Sequence, residues 1–332
     1  MAKHSYLFNP NLPIVKKNHA GNLLVNGLFV NQVRRRQPHF KDILKWQFTE
    51  KPQKDEKKND TFRVPVKPDN TFFEAKEDCI VWLGHASFFI RINGISLLTD
   101  PSLGNVALLK RLVGLPCDIS EIRNVDYILL SHGHRDHLDV PSLRKILKQN
   151  EQAEFLVPLK TEALLRNVGK YKSCQEAGWY QRFAIPKNQG LTITFLPAKH
   201  WNRRGLTDTN LTLWGSFMIE TAEKTIYFAG DTAYAPHFKE IKQMFGKIDV
   251  CMMPIGAYKP DFIMRDSHVN PEEAVQAFNE LEAKHFLPMH YGTYDLSDEP
   301  IGEPIRWLRK LKKDGILRGE LQDLAVGERF SF

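Results

Sequence analysis

Cysteine is scarce in this chain: Cys79, Cys117, Cys174 and Cys251 are the four in 332 residues. They stand 38, 57 and 77 residues apart, with no CxxC pair. Such spacing excludes a thiolate metal knuckle and a compact disulfide framework, and it predicts a reducing compartment. Cys79 and Cys251 lie in apolar runs and read as core residues. No run approaches the ~20 apolar residues of a membrane span. The opening MAKHSYLFNPNLP lacks the apolar segment of a signal peptide. A cytoplasmic location is therefore expected, with peripheral contact at the inner face of a membrane left open. No internal repeat or low-complexity tract is visible. No serine or cysteine has an activating base beside it, so covalent nucleophilic catalysis is not expected.

The composition that remains is that of a soluble globular protein, 42% hydrophobic and 26% charged. The formal net charge of +7 favours anionic partners: phosphates, nucleic acid or anionic lipid. Residues 1–70 are polar and charge-dense, as in NQVRRRQPHF and EKPQKDEKKNDTF. They read as an N-terminal arm with one short helix near Lys41–Phe48, solvated and partly ordered over 50–62. Residues 71–332 read as one catalytic domain.

From Asp78 the texture changes. CIVWLG, SFFIRI and ISLLTD are short β-type runs, and Asn93-Gly94 is a hairpin signal. VDYILLSH is the apolar run of a strand buried on both faces. VPSLRKILKQN, PHFKEIKQMFG, NPEEAVQAFNELEA and PIRWLRKLKKDG read as helices. Between them EFLVP, LTITFLPA, TLWGSFMIET, KTIYFAGD, IDVCMMPIG and HFLPMH read as strands. Strands with hairpins and then helices occur twice in succession. This order predicts α/β architecture, a four-layer αββα sandwich of two mixed sheets with helices outside.

The stretch ILLSHGHRDHLD crowds His132, His134, Asp136 and His137 into six positions. Three further candidate ligands also follow strand-like runs: His200 after TITFLPAK, Asp231 after TIYFAG and His290 at the end of HFLPM. Strand ends feeding loops are where α/β folds place sites. Side chains two apart on an extended segment point the same way, so His132 and His134 suit one ion. After a turn, Asp136 and His137 suit a second. His200 completes the first site, His290 the second, and Asp231 bridges both. Imidazole and carboxylate without thiolate suit zinc, manganese or iron. Asp139 is expected to orient a ligand imidazole through its other nitrogen. His4, His19, His39, His237 and His285 read as ordinary structural histidines.

With WLGHAS, LLTDP, SHGHRDHLD, PAKHW, LWGSF, FAGDTAY, PIGAYKP, SHVNPEEAV and MHYGT in order, the chain resembles the metallo-β-lactamase-fold hydrolases. More narrowly, Val81 to His290 resembles the N-acyl-phosphatidylethanolamine-hydrolysing phospholipases D and their bacterial relatives. The resemblance implies two divalent cations, zinc first, on the ligand sets above, and hydrolysis of a phosphodiester by a metal-activated water steered by Asp136. It implies that His268 lies by the substrate and contributes to catalysis, and that His85 supports the site from behind. Trp201, Tyr234 and Tyr258 follow site motifs. They either line the pocket or pack; Trp201 and Tyr258 are taken as substrate-binding. Arg135 stands where these phospholipases tend to carry an aromatic residue. The loop SLGNVALLKRLVGLP departs from the animal enzymes and is expected to shape the substrate entrance. Arg34–Arg36 are expected to favour an anionic bilayer. Other readings are a lactonase or small phosphoester hydrolase related to ascorbate-6-phosphate lactonase, a nucleic-acid phosphodiesterase, and a non-enzymatic metal-binding protein. No nucleic-acid module is evident, and no nucleic-acid partner is expected.

Overall fold

The computed structural model describes residues 2–36, 40–186 and 190–332, the side chains of Phe40 and Ile43 excepted. His39 therefore lies outside the described residues. The chain opens with a small antiparallel sheet of β1 (His4–Leu7), β2 (Asn22–Val25) and β3 (Leu28–Phe29), followed by helices α1 (Phe40–Phe48) and α2 (Lys54–Asn59). The stretch expected to be solvated contains α2, which buries no residue.

The first large sheet begins with the meander β4 (Cys79–Gly84), β5 (Ser87–Ile92) and β6 (Ile95–Thr99). It continues in parallel through β7 (Tyr127–Leu129), β8 (Glu154–Pro158) and β9 (Ser173–Ala177), with α3 (Val140–Leu147) crossing between β7 and β8. The second sheet runs β10 (Gln181–Arg182), β11 (Thr192–Leu196), β12 (Ser216–Glu220), β13 (Thr225–Phe228), β14 (Ile248–Pro254), β15 (Ala283–Met289) and β16 (Glu320–Leu321). Helices α4 (His237–Phe245), α5 (Asp261–Met264), α6 (Pro271–Leu281) and α7 (Glu303–Lys313) are its connections. A last strand, β17 (Arg329–Phe330), returns to pair with β4. The expected αββα layering is what forms.

Alternation along β4 shows why the sheets stack. Ile80 and Trp82 enter the core shared with the second sheet, while Val81 and Leu83 enter a second core with Leu143, Ile146 and Leu147 of α3. Both faces are dry, so the strand reads as a continuous apolar run rather than an alternating one. The helices start where their sequences say. Asn270 caps α6 through Glu273 N at 2.9 Å, and Pro271 follows at the first turn.

Topology gathers the site. In the first sheet β4, β6 and β7 run in one direction, because two antiparallel steps separate β4 from β6 and β6 pairs in parallel with β7. In the second sheet β11, β13, β14 and β15 likewise share a direction. The carboxyl ends of these strands release their loops along one edge of the sandwich, which is where the chemistry-bearing residues collect.

Candidate metal centre and its chamber

Seven imidazoles and three carboxylates meet at that edge; Asp100 lies with His132 and His137, and His268 with Asp231 and His290, each set close enough to share an ion. One group of possible ligands is His132, His134, His200 and Asp231, and another is His85, Asp136, His137 and His290, with the donor atoms of each group within 4.8 Å of one another. His132 Nε2 and His134 Nδ1 lie 2.8 Å apart, and His200 Nε2 is 3.2 Å from the same His134 nitrogen. Asp231 Oδ2 lies between the groups, 3.1 Å from His290 Nε2, 3.2 Å from His137 Nε2, and 3.9 Å and 3.8 Å from His132 and His200 Nε2. His85 Nε2 is 3.0 Å from Asp136 Oδ2. Among the described residues, His4, His19, His237 and His285 belong to no such group.

The backbone is set in unusual conformations to do this. His85, Asp100 and His290 have φ of 55°, 35° and 61°, left-handed values that L side chains adopt at a cost and that cluster at functional sites. Gly230, with φ of 58°, lets the chain turn into Asp231; a Cβ there would meet Gly215 O and Ser131 Cβ at 2.8 Å.

Second contacts set which ring nitrogen faces inward. His137 Nδ1 donates to Asp100 Oδ2 at 2.8 Å. The same carboxylate oxygen accepts from Ser131 Oγ, which in turn accepts from His132 Nδ1 at 2.9 Å. His200 Nδ1 donates to Ser267 O at 2.9 Å. Each of these Nδ1 protons commits the Nε2 lone pair to the cluster. Asp139 was expected in this role and does not fill it. Its carboxylate accepts from Ser142 N at 3.0 Å and from Ser142 Oγ, capping α3. Asp100, in the LLTDP motif at the end of β6, is the orienting acid. The signal was available, since Asp100 ends a strand as the candidate ligands do. Arg204 braces the histidine loop, donating to Gly133 O at 2.7 Å and Leu138 O at 2.9 Å.

Electrostatics test whether cations fit. Burial and the neighbouring imidazoles hold His132 well below the usual histidine range. Burial also opposes charge on His137 and His290, but the adjacent Asp231 and Asp136 outweigh it. His137 is raised well above its ordinary value and His290 to about 9. Asp231, despite burial, is held well below the carboxylate range by those two histidines. The buried carboxylates thus favour positive charge on the imidazoles beside them. His137 Nε2, His290 Nε2 and Asp231 Oδ1 are buried without hydrogen-bond partners. Imidazole nitrogens converging on buried carboxylates, with no well-directed hydrogen bond to hold their protons, are a donor set that divalent cations satisfy in place of those protons, so the residues fit them.

Above the cluster lies a cavity of about 330 Å³ whose lining includes His134, Asp136, Asp231, His268 and His290. Trp201, Arg203, Ile263, Met264 and Leu296 also line it. His268 Nδ1 is 3.8 Å from Asp231 Oδ2, and Trp201 packs edge-on to His134 at 4.9 Å. Tyr258 does not fit the substrate-binding expectation. It is buried, donates its hydroxyl to Glu303 at 2.7 Å, and is not among the lining residues. Tyr234 instead bonds Glu280 and stacks on Phe238. The loop after Asp100 does not line the chamber either. Its Arg111 turns inward and binds the carbonyls of Leu83, Ser102 and Val113. The arm takes that place: Arg35 and Trp46 are lining residues that sequence reasoning missed. Asn31 also brackets His200, donating to its carbonyl at 2.9 Å and accepting from its N–H at 3.1 Å.

Residues 96–291 match the family model described as a β-lactamase superfamily domain. The chain is 33% identical over 257 residues to N-acyl-phosphatidylethanolamine-hydrolyzing phospholipase D 1 of Caenorhabditis elegans, covering 73% of this chain and 71% of that one. It is 34% identical over 243 residues to the mitochondrial N-acyl-phosphatidylethanolamine-hydrolyzing phospholipase D of Saccharomyces cerevisiae, covering 70% of this chain and 52% of the longer yeast protein. A metallo hydrolase from Ignicoccus hospitalis superposes with a TM-score of 0.58 at 19% identity, over 77% of this chain and 98% of its own.

Proposed function

This chain belongs to the β-lactamase superfamily and is a metal-dependent hydrolase; from that premise we propose that it cleaves a phosphodiester, in the manner of a phospholipase D, in an N-acyl-phosphatidylethanolamine-like lipid. The observation that carries the proposal is a chamber with a ligand-rich floor and an apolar wall. A second cavity of about 380 Å³ shares Trp46 with the chamber and is lined in part by Pro52, Pro260 and Phe262, room for acyl chain beside the charged centre. The likeness to the worm and yeast enzymes supports the same substrate class.

In this reading His132, His134 and His200 hold one divalent cation, zinc in the first instance, and Asp136, His137 and His290 hold the other. Asp231 serves both. Cations bound there would supply Lewis acidity, neutralising charge on a phosphoryl oxygen and lowering the pKa of a water in the chamber toward neutrality. Asp136, fixed by His85, orients the attacking water. A bond forms from the water oxygen to phosphorus, and the bond from phosphorus to the ethanolamine-side oxygen breaks. That oxygen leaves with a proton derived from the water. His268 donates a hydrogen bond to the phosphate or the leaving oxygen. The products are phosphatidic acid and an N-acylethanolamine.

Access to such a lipid fits a peripheral position on an anionic bilayer. Arg34 and Arg36 are exposed, and Leu44 and Phe48 of α1 present apolar surface near the chamber wall. No helix among the described residues is long and apolar enough to cross a membrane.

The test is a substrate panel on metal-reconstituted protein: N-acyl-phosphatidylethanolamine in vesicles, plain phosphatidylethanolamine, an aryl phosphodiester and several lactones. Release of N-acylethanolamine with metal dependence is expected. Turnover of lactones alone would replace this reading with the lactonase one, in which the same centre serves a different chamber.

A further inference from the structure

The three arginines at the turn of the arm do not share an environment. Arg34 and Arg36 are exposed, and Arg36 pairs with Asp42 at 2.9 Å. Arg35 turns inward and lines the chamber. Its Nη2 and Nε donate to one acceptor, Ser267 Oγ, at 2.8 and 3.2 Å. Its guanidinium lies 5.1 Å from the centre of the Trp201 ring, which in turn packs against the ligand His134. Among the described residues Nη1 has no hydrogen-bond partner and the guanidinium forms no ion pair. The nearest acid in sequence to Ser267, Asp266, accepts instead from Lys199 Nζ at 2.7 Å and from the backbone of Arg36.

A guanidinium is costly to withdraw from water without an anion. Burial lowers Arg35 to about 10, with Asp266 compensating only in part. Its planar fork is held on one side by Ser267 and on its face by Trp201, so it loses little freedom when the remaining donors engage. This arrangement is set up to receive an oxyanion.

We propose that Arg35 binds an oxyanion of the substrate, a non-bridging phosphodiester oxygen, on the His134–Trp201 side of the chamber, so that the N-terminal arm selects anionic over neutral substrates. The inference rests on the reading above for the identity of that anion. It also divides the arginine triplet, leaving only Arg34 and Arg36 for a bilayer.

The experiment uses full-length, metal-reconstituted protein as wild type, Arg35→Gln and Arg35→Lys. Binding of diethyl phosphate, an inert monoanionic diester, is measured by titration calorimetry, with metal content alongside. Turnover of an aryl phosphodiester and of a neutral aryl ester is measured in parallel. Loss of a charge-assisted bond predicts about a 10- to 100-fold weaker affinity for diethyl phosphate in Arg35→Gln. Partial recovery is expected in Arg35→Lys, with metal content and neutral-ester turnover within about twofold of wild type. Unchanged diethyl phosphate affinity in Arg35→Gln overturns the proposal. So does an equal loss on charged and neutral substrates, which makes Arg35 only a prop for Ser267 and Trp201. Should Arg35→Gln not fold, the uncharged Arg35→Met decides: a weakened affinity with neutral-ester turnover retained supports the proposal, and wild-type affinity opposes it. If the wild type turns over no phosphodiester while Arg35→Gln still loses diethyl phosphate affinity, the phosphodiesterase reading fails and the role of Arg35 stands. Phosphodiester turnover with unaltered binding in the variant means the reverse.

Discussion

The floor and the roof of the chamber are held by different forces. The floor is built from the ends of β4, β7, β11, β13 and β15, with buried imidazoles locked by Asp100, Ser131 and the Ser267 carbonyl. The roof comes from the arm and rests on long-range side-chain contacts. Trp46 Nε1 donates to Asp298, which also pairs with Lys51 at 2.9 Å. Lys45 sits 4.9 Å from the Phe262 ring centre, and Asp60 pairs with Arg306 at 2.8 Å. Buried hydrogen bonds to charged groups are worth more than surface pairs, about 1.5–3 against 0–1 kcal/mol. The comparison predicts that the floor keeps its geometry while the roof loosens with little loss of global stability. On the proposal for Arg35, substrate selection then belongs to the more labile part.

The largest effect should come from the centre of the floor. Asp231 Oδ2 approaches four imidazoles of both groups, so Asp231→Asn should lose most bound metal from both, whereas His268→Ala should retain it. Elemental analysis after reconstitution measures this, and equal metal loss in the two variants would erase the distinction between bridging ligand and chamber residue.

Next come two acids close to the histidine loop that the structure separates. Asp100→Asn exchanges the acceptor for His137 and Ser131 and should reduce metal affinity or activity about 10- to 100-fold. Asp139→Ala removes a helix cap and should cost about 1 kcal/mol of stability, with activity close to wild type. Competition with a chromogenic chelator and denaturant unfolding read the pair. A larger metal defect in Asp139→Ala would restore the role first assigned to that residue.

The smallest effect belongs to the roof. The hydrogen bond from Arg306 is the main force holding the Asp60 carboxyl down, to about 2, aided by Gly302 N and Phe62 N against burial. A folded pKa below the unfolded value means that the stabilisation is present above pH ~4 and lost as pH falls toward ~2. Asp60→Asn should remove about 0.5–1 kcal/mol at neutral pH and flatten that acid window. Hydrogen exchange should rise in residues 54–62 while the β-strand core stays protected. Uniform deprotection would show that arm and floor unfold as one unit.

The strands that were legible in sequence are those with long apolar runs. β9 (SCQEA), β10, β16 and β17 passed unread because two to five residues, partly polar, carry no period; the neighbouring strand makes them strands. Ligand candidates were legible because metal chemistry needs particular residue types, and their spacing survives in one dimension. Orientation was not. Asp100 and Asp139 are both acids near the histidine loop, and only the parallel pairing of β6 with β7 carries Asp100 beneath it. Arg34, Arg35 and Arg36 are identical in type and adjacent in sequence, and only the seat offered by Ser267 and Trp201 turns the middle one inward. The sequence by itself determined which elements form and which side chains are able to bind cations, because apolar periodicity and donor chemistry are local properties. The tertiary structure alone decided which lone pair each histidine presents, what walls the chamber, and which arginine enters it, because those depend on partners that folding brings together, from Asp100 and His137 at a separation of 37 to Arg35 and Ser267 at 232.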